Sequence, residues 1–369
     1  MDMKKNVTLT LSVLALASVS IGFFGCSDND DAPAVDATLN ATILTDFSTN
    51  VAQATYNDLK AKASTLNADI QSFVAAQDET KLAKLRADWK AARQAWEQSE
   101  SFLFGPVDTK AIDPRIDSWP INEQDLNTEL TGDADLTETY IDGLGEDIKG
   151  FHPIEYIVFG QDGNRAATSF TSERELQYLS ALGQNLQKLT KEAATAWDPS
   201  SSPSAYSIVF VTAGKGSTEF PTQRSAFVQL VEAMAGICEE VADEKIDAVY
   251  KEHDPSLEES PYAKNSLTDF TNNIIGVQNV YLGKYSADGK SLEDLVRQYN
   301  LSLDSEIKAA VSAAIASLGN IDGTFGTAIV NNNVKVQNAI DAIHALHDKL
   351  DDGAASNNDL HYLVEQHTN

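Results

Sequence analysis

The chain has 369 residues and sets 55 acidic against 27 basic side chains, a formal charge of −28 at pH 7. A field of that sign repels nucleic acid and anionic membrane surfaces and gathers cations, which argues against a nucleic-acid partner and is compatible with metal handling. Cysteine is scarce, at two residues, so no disulfide framework supports the fold, and a hydrophobic fraction of 42% must supply the core.

In chain order, residues 1–25 carry Lys4 and Lys5, an apolar run from Val7 to Phe24, and Gly25 before Cys26. That is the layout of an export signal. A small residue directly before a cysteine at the end of such a run resembles the bacterial lipoprotein box, which would make Cys26 the lipidated first residue; Phe23 stands where that box usually has Leu. An ordinary secretory signal is the alternative. Residues 26–40 begin Cys-Ser-Asp-Asn-Asp-Asp and hold too few apolar side chains to fold, so they read as a flexible tether. An acidic tether in this place resembles the surface-export signals of Bacteroidetes lipoproteins. The expected location is the cell envelope, at the outer membrane on its periplasmic or outer face, held through the lipid anchor alone. Loss of residues 1–25 removes two lysines and one aspartate, which takes the charge from −28 to −29. With Cys26 acylated, Cys238 has no partner and reads as a small buried hydrophobe.

From residue 41 the apolar spacing turns helical, with Leu44, Phe47, Val51 and Ala54 on one stripe and Leu59, Ala63, Leu66, Ile70 and Phe73 on the next. Leu82, Leu85, Trp89, Ala92 and Trp96 repeat every three and four residues, the seam of a bundle helix expected to stop near Gly105-Pro106. Glu97 and Glu100 fall at its end, where the negative helix terminus disfavours carboxylates by about 0.3–1 kcal/mol unless a cation compensates. Residues 105–150 form a long connection full of turn formers, and long ordered connections are often functional. Within it, Asp113-Pro114-Arg115-Ile116-Asp117 joins two carboxylates and an arginine; a turn and an Arg–Asp pair account for Asp113 and Arg115 more easily than for Asp117.

Gly150-Phe151-His152-Pro153-Ile154-Glu155 places an imidazole and a carboxylate three residues apart at a helix start. Because proline favours the first helical position, this predicts His152 as the N-cap and Glu155 at the third position. The pair shares a face and is read either as capping chemistry or as half of a site.

A helix over 172–197 follows, and residues 199–222 read as a connection or inserted hairpin around a β-like run at 206–211. The second half carries apolar stripes through Leu230 to Val241, Leu292 to Tyr299, Ile307 to Ile315 and Val336 to Leu350. Together these predict an all-α fold of roughly eight helices in two helical-bundle lobes, 41–198 and 223–369. Between the later helices, residues 258–273 are dense in Glu, Ser, Asp and Asn, including Ser266, Asp269 and Asn273. Ser266 to Asp269 is read as a capping pair beside a polar wall. His344 and His347 share a face flanked by Asp341 and Asp348 and are read as solvated.

The stretch Gly-Phe-His-Pro-Ile-Glu at 150–155 resembles the Gly-x-His-x-x-Glu motif of the imelysin family, also known as peptidase family M75. Trp96 through Gly105-Pro106-Val107, Asp113 through Pro120, and Glu259 through Gly283 resemble three further segments of that family in the same order. The resemblance implies two helical lobes, related by internal duplication, with the motif near the cleft between them. It also implies iron or zinc as cofactor. His152 and Glu155 match the motif, Glu100 and Asp117 match carboxylates that complete a metal shell, and Glu97 and Asp113 are further candidates beside Ser266, Asp269 and Asn273.

Two functions from different classes fit that set. One imidazole among carboxylates is a hard donor set for iron or zinc, so the chain would bind a metal ion or metal complex for iron uptake. As a metallopeptidase acting on a peptide substrate it would use Glu155 or Glu100 as general base, although no His-Glu-x-x-His occurs in the sequence. A surface module that binds a polymer or partner without metal is the third reading.

Overall fold

The structure is a computed structural model and describes residues 35–353 and 357–369, so the export signal, Cys26 and the start of the tether lie outside the described residues. Residues 35–369 form one compact unit, helical and without strands among the described residues.

Helix α1, Ala37–Asp46, is capped by Asp36, whose carboxylate accepts from the N–H groups of Thr38 and Leu39. It runs through a π-helical stretch, Phe47–Gln53, into α2, Ala54–Ala75. The wider turn places Ala52, Thr55 and Tyr56 in the core and leaves Ala54 half-buried, which corrects the predicted stripe. Helix α3, Glu79–Ser99, starts at the Asp78 cap and ends in a 3₁₀ turn, Glu100–Phe102. All five of its predicted seam residues are buried. Then come α4, Ile112–Asp117, α5, Phe151–Phe159, and α6, Glu173–Trp197. Residues 206–211, read from sequence as β-like, are a short helix, α7, Tyr206–Val211. Tyr206 and Phe210 pack there against aromatic rings, with centroids 5.0 Å apart for Trp197–Tyr206 and 5.3 Å for Phe47–Phe210.

In the second half α8, Gln223–Glu239, passes into another π-helical stretch, Glu240–Ala248. Helices α9, Ser266–Leu282, α10, Leu292–Tyr299, α11, Leu301–Gly319, and α12, Val334–Leu350, complete the frame. Helix α2 lies between α3 and α6, α11 packs on α12, and α9 packs on both α3 and α11, so the α3–α9 contact joins the two halves. Gly276 permits it: a Cβ there would sit 2.6 Å from the Gln98 carbonyl oxygen. Gln98 donates to Asn272 at 2.7 Å across the same seam and accepts from Asn279 at 3.1 Å. Cys238 is buried, and His344 lies at the surface against Asp243.

Candidate metal centre

Helix α5 begins two residues earlier than proline placement predicts. Gly150 is the N-cap with φ 89°, and Phe151 is the first helical residue, so His152 lies in the first turn and is not the cap. Pro153 is tolerated because N–H groups in the first turn have no intrahelical acceptor. A Cβ on Gly150 would lie 2.1 Å from the Ile116 carbonyl oxygen, so the glycine lets the start of α5 close onto the end of α4. That contact brings His152 to Asp117.

The imidazole is fully buried. Its Nδ1 lies 3.2 Å from Glu155 Oε2, and Nε2 lies 3.0 Å from Asp117 Oδ1 and 3.7 Å from Glu259 Oε1. The Asp117 contact is short but misaligned, and Nε2 has no hydrogen-bond partner. Nδ1–H is donated to the carboxylate, so when the ring is neutral the tautomer fixed by that partner leaves the Nε2 lone pair on the side of the two carboxylate oxygens. Oε1 of Glu155 accepts from the backbone N–H groups of Tyr262 at 3.0 Å and Ala263 at 2.7 Å. Trp119 covers the imidazole, ring centroids 4.8 Å apart, and Tyr262 meets Trp119 edge-on at 6.2 Å.

Arg93 of α3, also fully buried, organises the neighbouring acids. Its Nη1 bonds Asp117 Oδ1 and its Nη2 bonds Glu97 Oε1, with Glu259 Oε1 3.0 Å from Nη2 and Asp269 Oδ1 3.8 Å from Nε. Asp117 Oδ2 accepts from Trp96 Nε1 at 2.6 Å. Asn273 donates at 2.7 Å to Glu97 Oε2 and at 2.7 Å to Glu100 Oε2. Lys245, from the second π-helical stretch, lies 3.2 Å from Glu100 Oε2. The helix-end carboxylates that looked misplaced in the sequence are thus compensated by Arg93 from within α3 and by Asn273 and Lys245 from other elements.

Compensation is incomplete. Glu97, Glu100, Asp117, Glu259 and Asp269 face two permanent cations, Arg93 and Lys245, and the imidazole of His152. Burial, partly offset by Arg93, pushes Glu97 up to about 8, and burial together with Glu97 drives Glu100 well above the carboxylate range. Burial raises Asp269 to about 6 against the pull of Arg93. Against the same cost of burial, Arg93 and His152 hold Asp117 well below its ordinary value, and Lys245 and Arg93 lower Glu259. Burial opposes charge on His152, but the Asp117 carboxylate 3.0 Å from Nε2 and the bond to Glu155 lift it to about 9. A cation at the centre would reverse the upward shifts.

Two sets of donors come within 4.8 Å of one another, Asp117–His152–Glu259 and Glu97–Glu100–Asp117, with Asp117 shared. Of the sequence candidates, His152, Asp117, Glu97 and Glu100 belong to these sets. Glu155 stands behind the imidazole, with its oxygens on His152 and the 262–263 backbone. Asp113 joins neither set; burial and then Asp117 raise it to about 7. Arg115 pairs with Asp142 at 2.5 Å. Ser266 is the first residue of α9 and not its cap: the cap is Asn265, while Ser266 donates to Glu258 at 2.8 Å and accepts from Ser260 N at 3.1 Å. Asp269 accepts from Ser260 at 2.6 Å and Asn265 at 2.7 Å.

Glu259, Arg93 and Lys245 escaped the sequence reading. Arg93 had a signal, since it lies four residues after Trp89 on the buried side of α3 and four before Glu97. Glu259 had only its place in a polar-rich segment, and Lys245 had none.

The sequence profile of the imelysin family, peptidase M75, matches residues 52–351. Iron-regulated protein A of Synechococcus elongatus is 30% identical over 344 residues, covering 92% of this chain and 90% of that protein. A crystal structure described as an iron-regulated protein A precursor from Parabacteroides distasonis superposes with a TM-score of 0.76 at 25% identity, covering 91% of this chain and 98% of that one. An imelysin-like protein from Psychrobacter arcticum, at 16% identity, shares the fold with a TM-score of 0.67 over 86% of this chain and 96% of its own. Profile, relative and structures agree: the chain belongs to the imelysin family.

Proposed function

We propose that the chain is a cell-envelope lipoprotein, anchored through Cys26, that binds an iron or zinc ion through Asp117, His152 and Glu259 in the service of iron uptake. The observation that carries this reading is the orphaned Nε2 of buried His152, facing Asp117 Oδ1 and Glu259 Oε1. The ring is protonated while no ion is bound, and a coordinated cation would take the place of the Nε2 proton between the nitrogen and the two carboxylates, so that binding releases a proton. One nitrogen with carboxylate oxygens is a donor set that suits Zn(II) or Fe(II). Glu155 has the place of an outer carboxylate that fixes a ligating histidine. When bound, the ion would supply the positive charge that the carboxylate excess lacks. The name of the Synechococcus elongatus relative, which refers to iron regulation, supports the choice of iron.

The donors are buried, with Trp119 against the imidazole and Glu259 only 7% exposed. A small ion can be enclosed by such an arrangement, whereas a peptide backbone would need the cover removed. Metal analysis and Zn(II) or anaerobic Fe(II) titration of the mature protein, beside His152→Ala, test the reading. Binding near one equivalent, lost in the variant, supports it. Metal-dependent cleavage of an unfolded protein would replace uptake with the peptidase reading, and no binding of either ion would leave a metal-free binding module.

A further inference from the structure

Three carboxylates from separate places in the chain surround the Lys245 ammonium: Glu100 Oε2 at 3.2 Å, Glu240 Oε1 at 3.5 Å and Glu259 Oε2 at 3.6 Å. Two of them, Glu100 and Glu259, belong to the two donor sets of the centre. Glu259 divides its oxygens, turning Oε1 to Arg93 and His152 and Oε2 to Lys245. The two cations of the cluster are therefore held differently. Arg93 is locked by a planar fork bonded to Asp117, Glu97 and Glu259 and backed by the Phe151 ring, 5.3 Å from the guanidinium carbon. Lys245 makes one hydrogen bond, to Glu100, and otherwise acts as a compact charge on a flexible stem. Its side chain is 12% exposed, and its third carboxylate, Glu240, is 45% exposed. An acceptor thus stands ready on the solvent side.

We propose that Lys245 is a built-in surrogate cation for the centre: its ammonium, hydrogen-bonded to Glu100, balances Glu259 while no metal is bound, and an entering divalent ion displaces it toward Glu240. The inference rests on the metal-binding reading above. Lysine then sets a threshold, because only an ion that repays the loss of the ammonium contacts stays bound. A monovalent ion offers the carboxylates no more charge than the ammonium does; a divalent ion does.

The test compares Lys245→Gln, Lys245→Met and Lys245→Arg with wild type, using Zn(II) in competition with a chromophoric chelator and thermal melting with and without Zn(II). The Gln and Met variants are expected to bind Zn(II) at least ~10-fold tighter and to gain more in Tm on loading, because the competitor is gone. The Arg variant should stay near wild type. A merely structural lysine would lower stability without raising affinity. Folded Gln and Met variants with unchanged or weaker affinity, beside a wild type that binds, overturn the proposal and leave the metal reading intact. Absence of binding in every chain overturns both, whereas binding gained only in the Gln or Met variant supports displacement. A wild-type measurement needs no substitution: Zn(II) loading should increase acylation of Lys245 by an amine-reactive reagent, read by peptide mass spectrometry, and unchanged labelling of a loaded protein counts against displacement.

Discussion

The hydrogen bond between His152 Nδ1 and Glu155 Oε2, 3.2 Å long, decides which ring nitrogen faces Asp117 and Glu259. Glutamine at 155 would need its single oxygen for the Tyr262 and Ala263 N–H groups, so its NH₂ would meet Nδ1 and move the imidazole proton to Nε2. Glu155→Gln should therefore fold and melt near wild type without metal, yet bind Zn(II) about 10–100-fold more weakly. Glu155→Ala leaves two backbone donors without an acceptor and should cost about 1–3 kcal/mol for each. Urea unfolding and Zn(II) titration separate the two effects; wild-type affinity in Glu155→Gln would remove Glu155 from the centre.

Gly150→Ala tests the backbone that delivers His152. At φ 89°, with a Cβ 2.1 Å from the Ile116 carbonyl oxygen, alanine must push α5 away from α4. A loss above about 2 kcal/mol in urea is expected, together with loss of Zn(II) binding. A loss below about 0.5 kcal/mol would mean that this approach is not needed.

Arg93→Met removes the hub of the buried ion pairs. Stranding Asp117, Glu97 and Glu259 should cost about 3–5 kcal/mol at pH 8. Much of this should return at pH 5, where Glu97, already raised to about 8 in the wild type, is protonated. The urea midpoint at the two pH values reports it, and equal losses at both would speak against the pairing scheme.

Asp113 gives a pH dependence of its own. Its folded value, about 7, lies above the ordinary 3.8, so its contribution is present below about 4 and is lost as pH rises through about 7. In chelated protein, Asp113→Asn should gain about 1 kcal/mol or more over wild type at pH 8 and little at pH 4. A pH-independent difference would show that burial does not govern this carboxyl.

What could be read from sequence was the part that depends on local repetition. The seam from Leu82 to Trp96 follows the helical period and is buried as expected. The stripe from Leu44 to Ala54 broke down at Phe47–Gln53, because a π-helical stretch adds a residue to the turn and no local signal marks it. Tyr206–Val211 has β-branched and aromatic content that favours strands, but its rings pack on Phe47 and Trp197 and the segment stays helical. At the site, His152 and Asp117 were visible through their motifs. Glu259 reaches the imidazole from 107 positions along the chain, a distance over which spacing carries no information.

Arg93 and Glu97 stand on α3 and Glu100 opens the turn that closes it, so one continuous stretch of helical backbone sets the direction of all three. Each added or deleted residue turns everything beyond it by about 100° around the axis. An indel between Leu82 and Arg93 would swing the arginine, both glutamates and the Gln98 carbonyl that Gly276 admits off the seam with α9. Within α3, side-chain replacement should therefore be commoner among related chains than any change of length.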